Sequence, residues 1–378
     1  MALNVVLIKE PRLLWHAFYF RGSISMQKHF VFKTFSIIFL VLLYCSRAPL
    51  NATTLSTEST FNDSLEKTET HTLLESNTFT NLIEIDHIAI NGDAELLQMA
   101  KDNDWPGTGD KSDPIIIEGY YFRYNGNMFI VDGTELYWEF SNNVLFGTDD
   151  RWCAIVISDL KNCKISDNYF TRGSVGIHSI RVHDCQFINN VFDFQSWDGV
   201  FLEDSYNNII LENTFIKGGE GGVFGWAGSI DNTILYNEVY GSPYGFLLWG
   251  DADGNTIQHN SIHDISYRGL DIQASNNIIQ ENDIHDVDGD AIYVSGFETE
   301  IKNNRIYNNL GYGIKFSSGS GSATIENNVV ICNQAGGINL HLSNYNHIEN
   351  NDFYNNSWCQ AWDSGNNNIF TDNYWHEW

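Results

Sequence analysis

The stretch "NNIIQENDIHDVDGDAIYVSG", residues 276–296, decides the fold, because its spacing of Ile279, Asn282 and Ile284 occurs again one period upstream. In "GNTIQHNSIHDISYRGLDIQ", residues 254–273, Ile257, Asn260 and Ile262 hold the same places. Extending the alignment in both directions gives eleven copies, centred on Asn143, Asn168, Asn190, Asn213, Asn237, Asn260, Asn282, Asn304, Asn328, Asn351 and Asn373. Intervals run from 22 to 25 residues. Three residues before each Asn stands Ile or Phe, and two after it stands an aliphatic or aromatic residue, from Leu145 to Trp375. A period this short, with β-branched and aromatic residues at fixed sites, is the mark of a solenoid.

The coil is made of strands. Segments such as "GLDIQ", "AIYVS" and "GIKFS" alternate with period two, and the 3.6-residue period of a helical repeat is missing. Each copy is therefore one turn of short strands stacked in parallel on the next. Layers about 4.8 Å apart give a rod on the order of 50 Å long. The flanking apolar residues point inward as ladders, each burial contributing roughly 1.5–3 kcal/mol. The Asn marks a tight corner, where its own backbone is expected to be left-handed and its amide to bond the Asn above and below. That role is structural.

This pattern resembles the right-handed parallel β-helix repeat superfamily, and most closely its carbohydrate-binding and sugar-hydrolase-like subgroup, which includes periplasmic copper-processing NosD-like proteins. The resemblance covers residues 114–378. It implies an all-β right-handed parallel β-helix. It leaves the activity open, since the superfamily holds lyases, hydrolases, epimerases, adhesins and noncatalytic binders. Ahead of the coil, residues 83–113 look like the N-terminal cap common in secreted members. Asp93 is expected to N-cap a helix to about Lys101, with Leu96, Leu97, Met99 and Ala100 facing the first coil. Such a helix covers open strand edges, and Trp105 in "WPGTG" plugs the turn that follows.

Residues 26–48 read as a signal peptide or uncleaved signal anchor: Lys28 and Lys33, then a ten-residue apolar run from Phe35 to Tyr44. That run is shorter than the roughly 20 residues of a membrane span. Residues 1–25 precede it awkwardly, and Met26 offers an alternative start. Residues 49–82, rich in Ser, Thr, Asn and Glu, read as a disordered stalk. The protein is thus expected to be secreted or at the extracellular cell surface, meeting the membrane only through its N-terminus. From residue 49 on, 14 basic side chains stand against 47 acidic, a net charge of −33. Such a field repels phosphate backbones and anionic lipid, so nucleic acid is excluded as a partner. No cofactor is required, and Ca²⁺ is the ion such an acid surplus would hold.

Eight or nine residues after each Asn from Asn168 to Asn328 comes Gly or Ala and then an apolar residue, as in Gly199-Val200 and Gly269-Leu270. The residue after that pair points outward. The outward row reads His178, Phe201, Phe224, Leu247, Asp271, Tyr293, Lys315 and Asn339; a second row, two residues on, reads Glu203, Trp226, Trp249, Gln273, Ser295, Ser317 and His341. Polar residues are expected outside a rod, so these aromatics, with Trp197 and Tyr244 at the preceding turns, predict an exposed binding patch. Flat rings beside carboxylates suit sugar rings. The ligand-binding candidates are Trp197, Phe201, Glu203, Phe224, Trp226, Tyr244, Trp249 and Tyr293. The rival reading is cover by a turn, the stalk or a homodimer partner.

Catalysis would need more. Two glycosidase carboxyls stand about 5–5.5 Å or 6.5–9.5 Å apart, and Asp271 with Asp290 one layer on is the best pair for that role. A lyase needs a base, with Arg268 or Lys315 as candidates. The polygalacturonase-like "GHG" and "RIK" motifs have no match, and the mannuronan epimerase-like "YGFDPHD" is only echoed by "YGFLLWGD" at 244–251, where Leu247 replaces its Asp. His263 and His285 occupy one site in successive layers, a weak metal candidate against a plain side-chain ladder, since Tyr240 and Tyr307 flank them. Cys163 and Cys185 share another column, as a disulfide or as small apolar residues. The expected function is carbohydrate binding, with a polysaccharide or cell-surface glycan as partner. The alternatives are a polysaccharide hydrolase, lyase or epimerase acting from the same face, and a structural surface-assembly protein.

Overall fold

A computed structural model describes residues 81–376. The readings of residues 1–25, 26–48 and nearly all of 49–82 fall outside the described residues. The described chain winds as three strands per turn, so every strand pairs with the third one after it. Three parallel sheets result: sheet A of 13 strands, from β1 (Ile83–Ile85) to β37 (Tyr374–His376), and sheets B and C of 12 strands each. β2 (Ile88–Asn91) opens sheet B and β3 (Ile115–Glu118) opens sheet C. Both β1 and β2 lie in the segment expected to be cap, and they already pair with β4 (Tyr120–Tyr124) and β5 (Phe129–Asp132).

The repeat register is that of the sequence alignment. Ile257 pairs with Ile279 and Ile279 with Ile301, and all three are fully buried. Phe170, Phe192 and Phe215 stack at centroid spacings of 4.6 and 4.9 Å. Identical side chains one layer apart therefore meet face to face, which makes a core from a short repeat.

The Asn column is a continuous amide ladder. Asn282 shows the pattern: its Oδ1 accepts the N–H and the Nδ2 of Asn260, both at 3.0 Å. Its Nδ2 donates to the Ile257 carbonyl at 2.9 Å and to Asn304 Oδ1 at 3.0 Å. The left-handed residue is not this Asn. It is the residue before it, with φ near +55° at Asn142, Glu212, Tyr236, His259 and Glu281 among others. The ladder holds the Asn in place from both sides, so the corner falls on its neighbour, even where that is a bulky Tyr or His that disfavours φ > 0.

Two further amide ladders were not read from the repeat. Asn208 donates to Asn232 and Asn232 to Asn255, and Asn309, Asn333 and Asn356 do the same at another corner. Cys163 and Cys185 head the first of these. Both are free and buried, the Cys163 N–H donating to Cys185 Sγ at 3.0 Å and the Cys185 N–H to Asn208 Oδ1 at 3.0 Å. The Cys185 thiol takes the acceptor place that an amide oxygen fills one layer on.

Helix α1 (Gly92–Asp102) buries Leu96 and Ala100 against the first coil. Its N-cap is Asn91 rather than Asp93, and Glu95 reaches back to the Asn91 N–H at 2.8 Å. Asp93 is drawn to the coil, accepting Thr134 Oγ1 at 2.7 Å and the Glu135 N–H at 2.9 Å. Leu97 faces outward, 45% exposed. Trp105 is buried, its indole N–H on the Tyr120 hydroxyl at 2.8 Å.

Candidate functional site

The outer face of sheet B carries the outward rows. Its strands here are β14 (Val200–Glu203), β17 (Val223–Trp226), β20 (Tyr244–Leu248), β23 (Arg268–Ile272), β26 (Ile292–Val294), β29 (Tyr312–Phe316), β32 (Gly336–Leu340) and β35 (Ala361–Asp363). Pairing places Phe201 on Phe224, Phe224 on Leu247, Leu247 on Asp271, Asp271 on Tyr293 and Tyr293 on Lys315. Glu203 pairs with Trp226.

The face is not the open apolar patch that the sequence predicts. Leu247 is fully buried and Phe224 is 5% exposed, while Phe201, Trp226, Tyr244, Trp249 and Tyr293 are half-buried. In-register rings cover one another: His178 stacks on Phe201 at 4.8 Å and Phe201 on Phe224 at 5.1 Å. Trp226 and Trp249 then close over Phe224 edge-on, at 5.9 and 5.3 Å. The turn at Gly221 lies against the Leu247 side chain, where even a Cβ would come within 2.6 Å. What remains open is a polar and aromatic surface, with two indoles above a buried apolar floor. Trp197 sits half-buried at the turn before β14.

Asp271 is on this face yet only 1% exposed. Its Oδ2 takes Arg268 Nη1 at 2.6 Å, and its Oδ1 takes Trp249 Nε1 at 3.3 Å and Gln273 Nε2 at 3.2 Å. The Arg268 guanidinium also lies over the Tyr293 ring at 3.7 Å and the Tyr267 ring at 4.9 Å. One carboxylate therefore fixes an arginine and an indole, and the arginine lies over the rings of two tyrosines. Burial pushes the Tyr244 hydroxyl up to about 12, helped by the Asp271 charge beside it.

Asp271 stands opposite Tyr293 in the next layer, three residues beyond Asp290. Asp290 turns to the next layer instead. It binds Lys315 Nζ at 3.0 Å and accepts the Tyr312 N–H at 3.0 Å. Each carboxylate has its own cation, Arg268 for Asp271 and Lys315 for Asp290. Glu203 binds His178 Nε2 at 3.2 Å, a bond that holds its carboxyl below the usual range against the opposing effect of burial.

His263 and His285 stack in parallel at 5.2 Å between Tyr240 and Tyr307. Their Nδ1 atoms bind Asp264 and Asp286 at 2.8 and 2.7 Å. Rings stacked face on face aim their nitrogens alongside one another instead of converging on one ion. Among the described residues there is no group of three His, Cys, Asp or Glu side chains arranged to hold a metal.

Three residues of this surface escaped the repeat reading. Trp362 continues the outward row, pairing with Asn339, but its coil has Gln360-Ala361 where others have Gly or Ala before an apolar residue. Trp358 lies in the turn before it. Asp198 is fully buried at the turn before β14, with the Gly221 N–H on Oδ1 at 3.1 Å and no partner for Oδ2. Burial, with the charge of Glu220, holds its carboxyl well above the usual range. Nothing in an Asp at a turn distinguishes this one until the next coil folds over it.

Comparison with known proteins bears on the fold first. Residues 231–375 match the right handed beta helix region family. Residues 124–267 match the periplasmic copper-binding protein (NosD) family. The chain is a right-handed parallel β-helix protein. The copper in the second family's description finds no fitting donor set among the described residues of this β-helix. Among solved structures, the A-module of the Azotobacter vinelandii mannuronan C-5 epimerase AlgE6 is similar at 15% identity and a TM-score of 0.59, over 75% of this chain and 94% of that one. The catalytic domain of a GH87 alpha-1,3-glucanase in complex with tetrasaccharides is similar at 14% identity and a TM-score of 0.52, over 87% and 71%. At such identities the likeness establishes a shared fold. A search of curated proteins gave no match.

Proposed function

We propose that this β-helix is an exported protein that binds a polysaccharide along the outer face of sheet B. The observation that carries the reading is the hub at Asp271, which holds Trp249, Gln273 and Arg268 in fixed orientation over a buried floor. Half-buried rings beside fixed donors are what a sugar requires: C–H faces meet indole or phenol, and hydroxyls meet guanidinium, amide and ammonium. The solved structures named above, a mannuronan C-5 epimerase module and an alpha-1,3-glucanase domain, agree with a polysaccharide as the partner. Export agrees with the periplasmic description of the matching family.

Binding is favoured over hydrolysis because Asp271 already accepts three hydrogen bonds and Asp290 two contacts, leaving neither placed as a free base. A glycan array with the protein is expected to give specific hits. Trp226→Ala and Trp249→Ala should each weaken them by about 1–3 kcal/mol, roughly 5- to 150-fold in Kd, with the fold intact. Following reducing-sugar release and unsaturated-uronate absorbance on the same glycans tests the enzymatic reading. Turnover lost in Asp271→Asn would replace binding by catalysis. Variants that instead turn a dimer into a monomer, with no glycan bound by any form, would make the face an assembly surface.

A further inference from the structure

We infer that Tyr312, Trp358 and Trp362 form a second carbohydrate subsite on the same face, so that the bound glycan is a long chain lying parallel to the coil axis. This rests on the reading of sheet B as a carbohydrate-binding face and adds the form of the ligand. Trp358 is 61% exposed and Trp362 is 43% exposed, far more than Trp226 or Trp249, which are half-buried. Their ring centroids are 4.9 Å apart at 73°, and Tyr312 meets Trp358 at 6.3 Å and 68°.

That geometry differs from the aromatic ladders elsewhere on the rod. Tyr240, His263, His285 and Tyr307 stack within 6–19° of parallel, so their faces are spent on one another and their edges meet solvent. Perpendicular rings cannot share faces in that way. The two indoles and the phenol form an open corner with ring faces available, the shape that receives the C–H face of a pyranose. Phe224, stacked on Phe201 and closed over by two indoles, is 5% exposed, whereas nothing closes over Trp358 and Trp362 to that extent.

Position gives the length. The register Leu247–Asp271–Tyr293–Lys315–Asn339–Trp362 places this corner five layers beyond β20, whose end carries Trp249. Five layer steps are about 24 Å. One sugar of an extended glycan is about as long as one layer, so a chain touching both ends has roughly six units. The surface between offers polar groups: Arg268, Gln273, Ser295 and Lys315, none of them buried. Aromatic contacts at both ends with hydrogen bonds between them suit a polymer better than a mono- or disaccharide.

The test uses disaccharide and octasaccharide series of mannuronan, alpha-1,3-glucan and every polysaccharide that binds on the array, measured by calorimetry with the full chain. The octasaccharide of a bound type is expected to bind on the order of tenfold or more tighter than its disaccharide, because the second contact becomes intramolecular. Trp358→Ala with Trp362→Ala should bring the octasaccharide down to about the affinity of the disaccharide, whereas Trp249→Ala should weaken both. Equal affinity for short and long chains, or an octasaccharide indifferent to the Trp358 and Trp362 changes but lost with Trp249→Ala, would overturn the second subsite alone. No binding of any glycan would overturn the face itself. A shift from dimer to monomer in the Trp358/Trp362 variant by sedimentation would assign the corner to a second copy of the chain.

Discussion

Replacing one rung of the amide ladder tests the physical account of the coil most directly. In Asn282→Ala the Asn260 N–H and one Asn260 Nδ2 proton lose their shared acceptor, and the Ile257 carbonyl loses a donor. Asn260 and Asn282 are each 2% exposed, so water does not readily replace what is lost. Two orphaned buried donors at about 1–3 kcal/mol each give a destabilisation of about 2–6 kcal/mol. At about 2 °C per kcal/mol for a large domain, the melting temperature should fall by about 4–12 °C. Asn282→Asp keeps the acceptor for Asn260 but sets a carboxylate oxygen against two other acceptors, Ile257 O and Asn304 Oδ1. It should be worse than Ala at neutral pH. It should recover as pH falls through the carboxylate range, because a protonated oxygen can donate one of the two bonds. Differential scanning calorimetry from about pH 4 to 8 measures both effects, with Ser318→Ala at an exposed turn as a control expected within about 0.5 kcal/mol. Each coil touches only its neighbours, so lost amide-exchange protection should centre on the coils of Asn260 and Asn304. An Asn282→Ala protein melting within about 1 °C of its parent would refute the ladder as a source of stability.

Asp271→Ala should be costly, at the low end of about 3–5 kcal/mol, since it strands the half-buried Arg268. Ile279→Asp should cost several kcal/mol as well, and denaturant titration showing Asp271→Ala near parental stability would contradict the hub. Asp198 binds its proton more tightly in the folded chain, so its contribution is full below the ordinary carboxylate range and declines as pH rises toward its raised value. Asp198→Asn should therefore gain on the parent as pH rises from about 4 to 8, and parallel stability curves would show the carboxyl is not held neutral. Among the described cysteines, the exposed Cys332 should alkylate first in the native protein, while Cys163 and Cys185 should react only on unfolding. Burial also pushes the Cys153 thiol up to about 12, so mass spectrometry should find it unlabelled at neutral pH.

The sequence by itself determined the coil, because a parallel solenoid repeats the same environment every layer and must repeat the residues that fill it. Ile257, Asn260 and Ile262 recur for that reason, and the alignment delivered the strand register down to individual pairs such as His178 with Phe201. It also named most of the face, including Trp226, Trp249, Arg268, Asp271 and Tyr293. What only the tertiary structure decided is how outward side chains divide their contacts. Layer counting fixes where a Cβ stands, but Asp271 reaches Arg268 along its own strand while Asp290 reaches forward to Lys315, and rotamers make that choice. Burial of Leu247 and Phe224 likewise depends on the Gly221 turn and on rings from neighbouring layers, none of which alternation alone reveals. The left-handed corner falls one residue before the Asn, because an amide bonded on both sides fixes that residue and passes the bend to its neighbour. Repeats encode what is the same in every layer, and the candidate site lies where neighbouring layers differ.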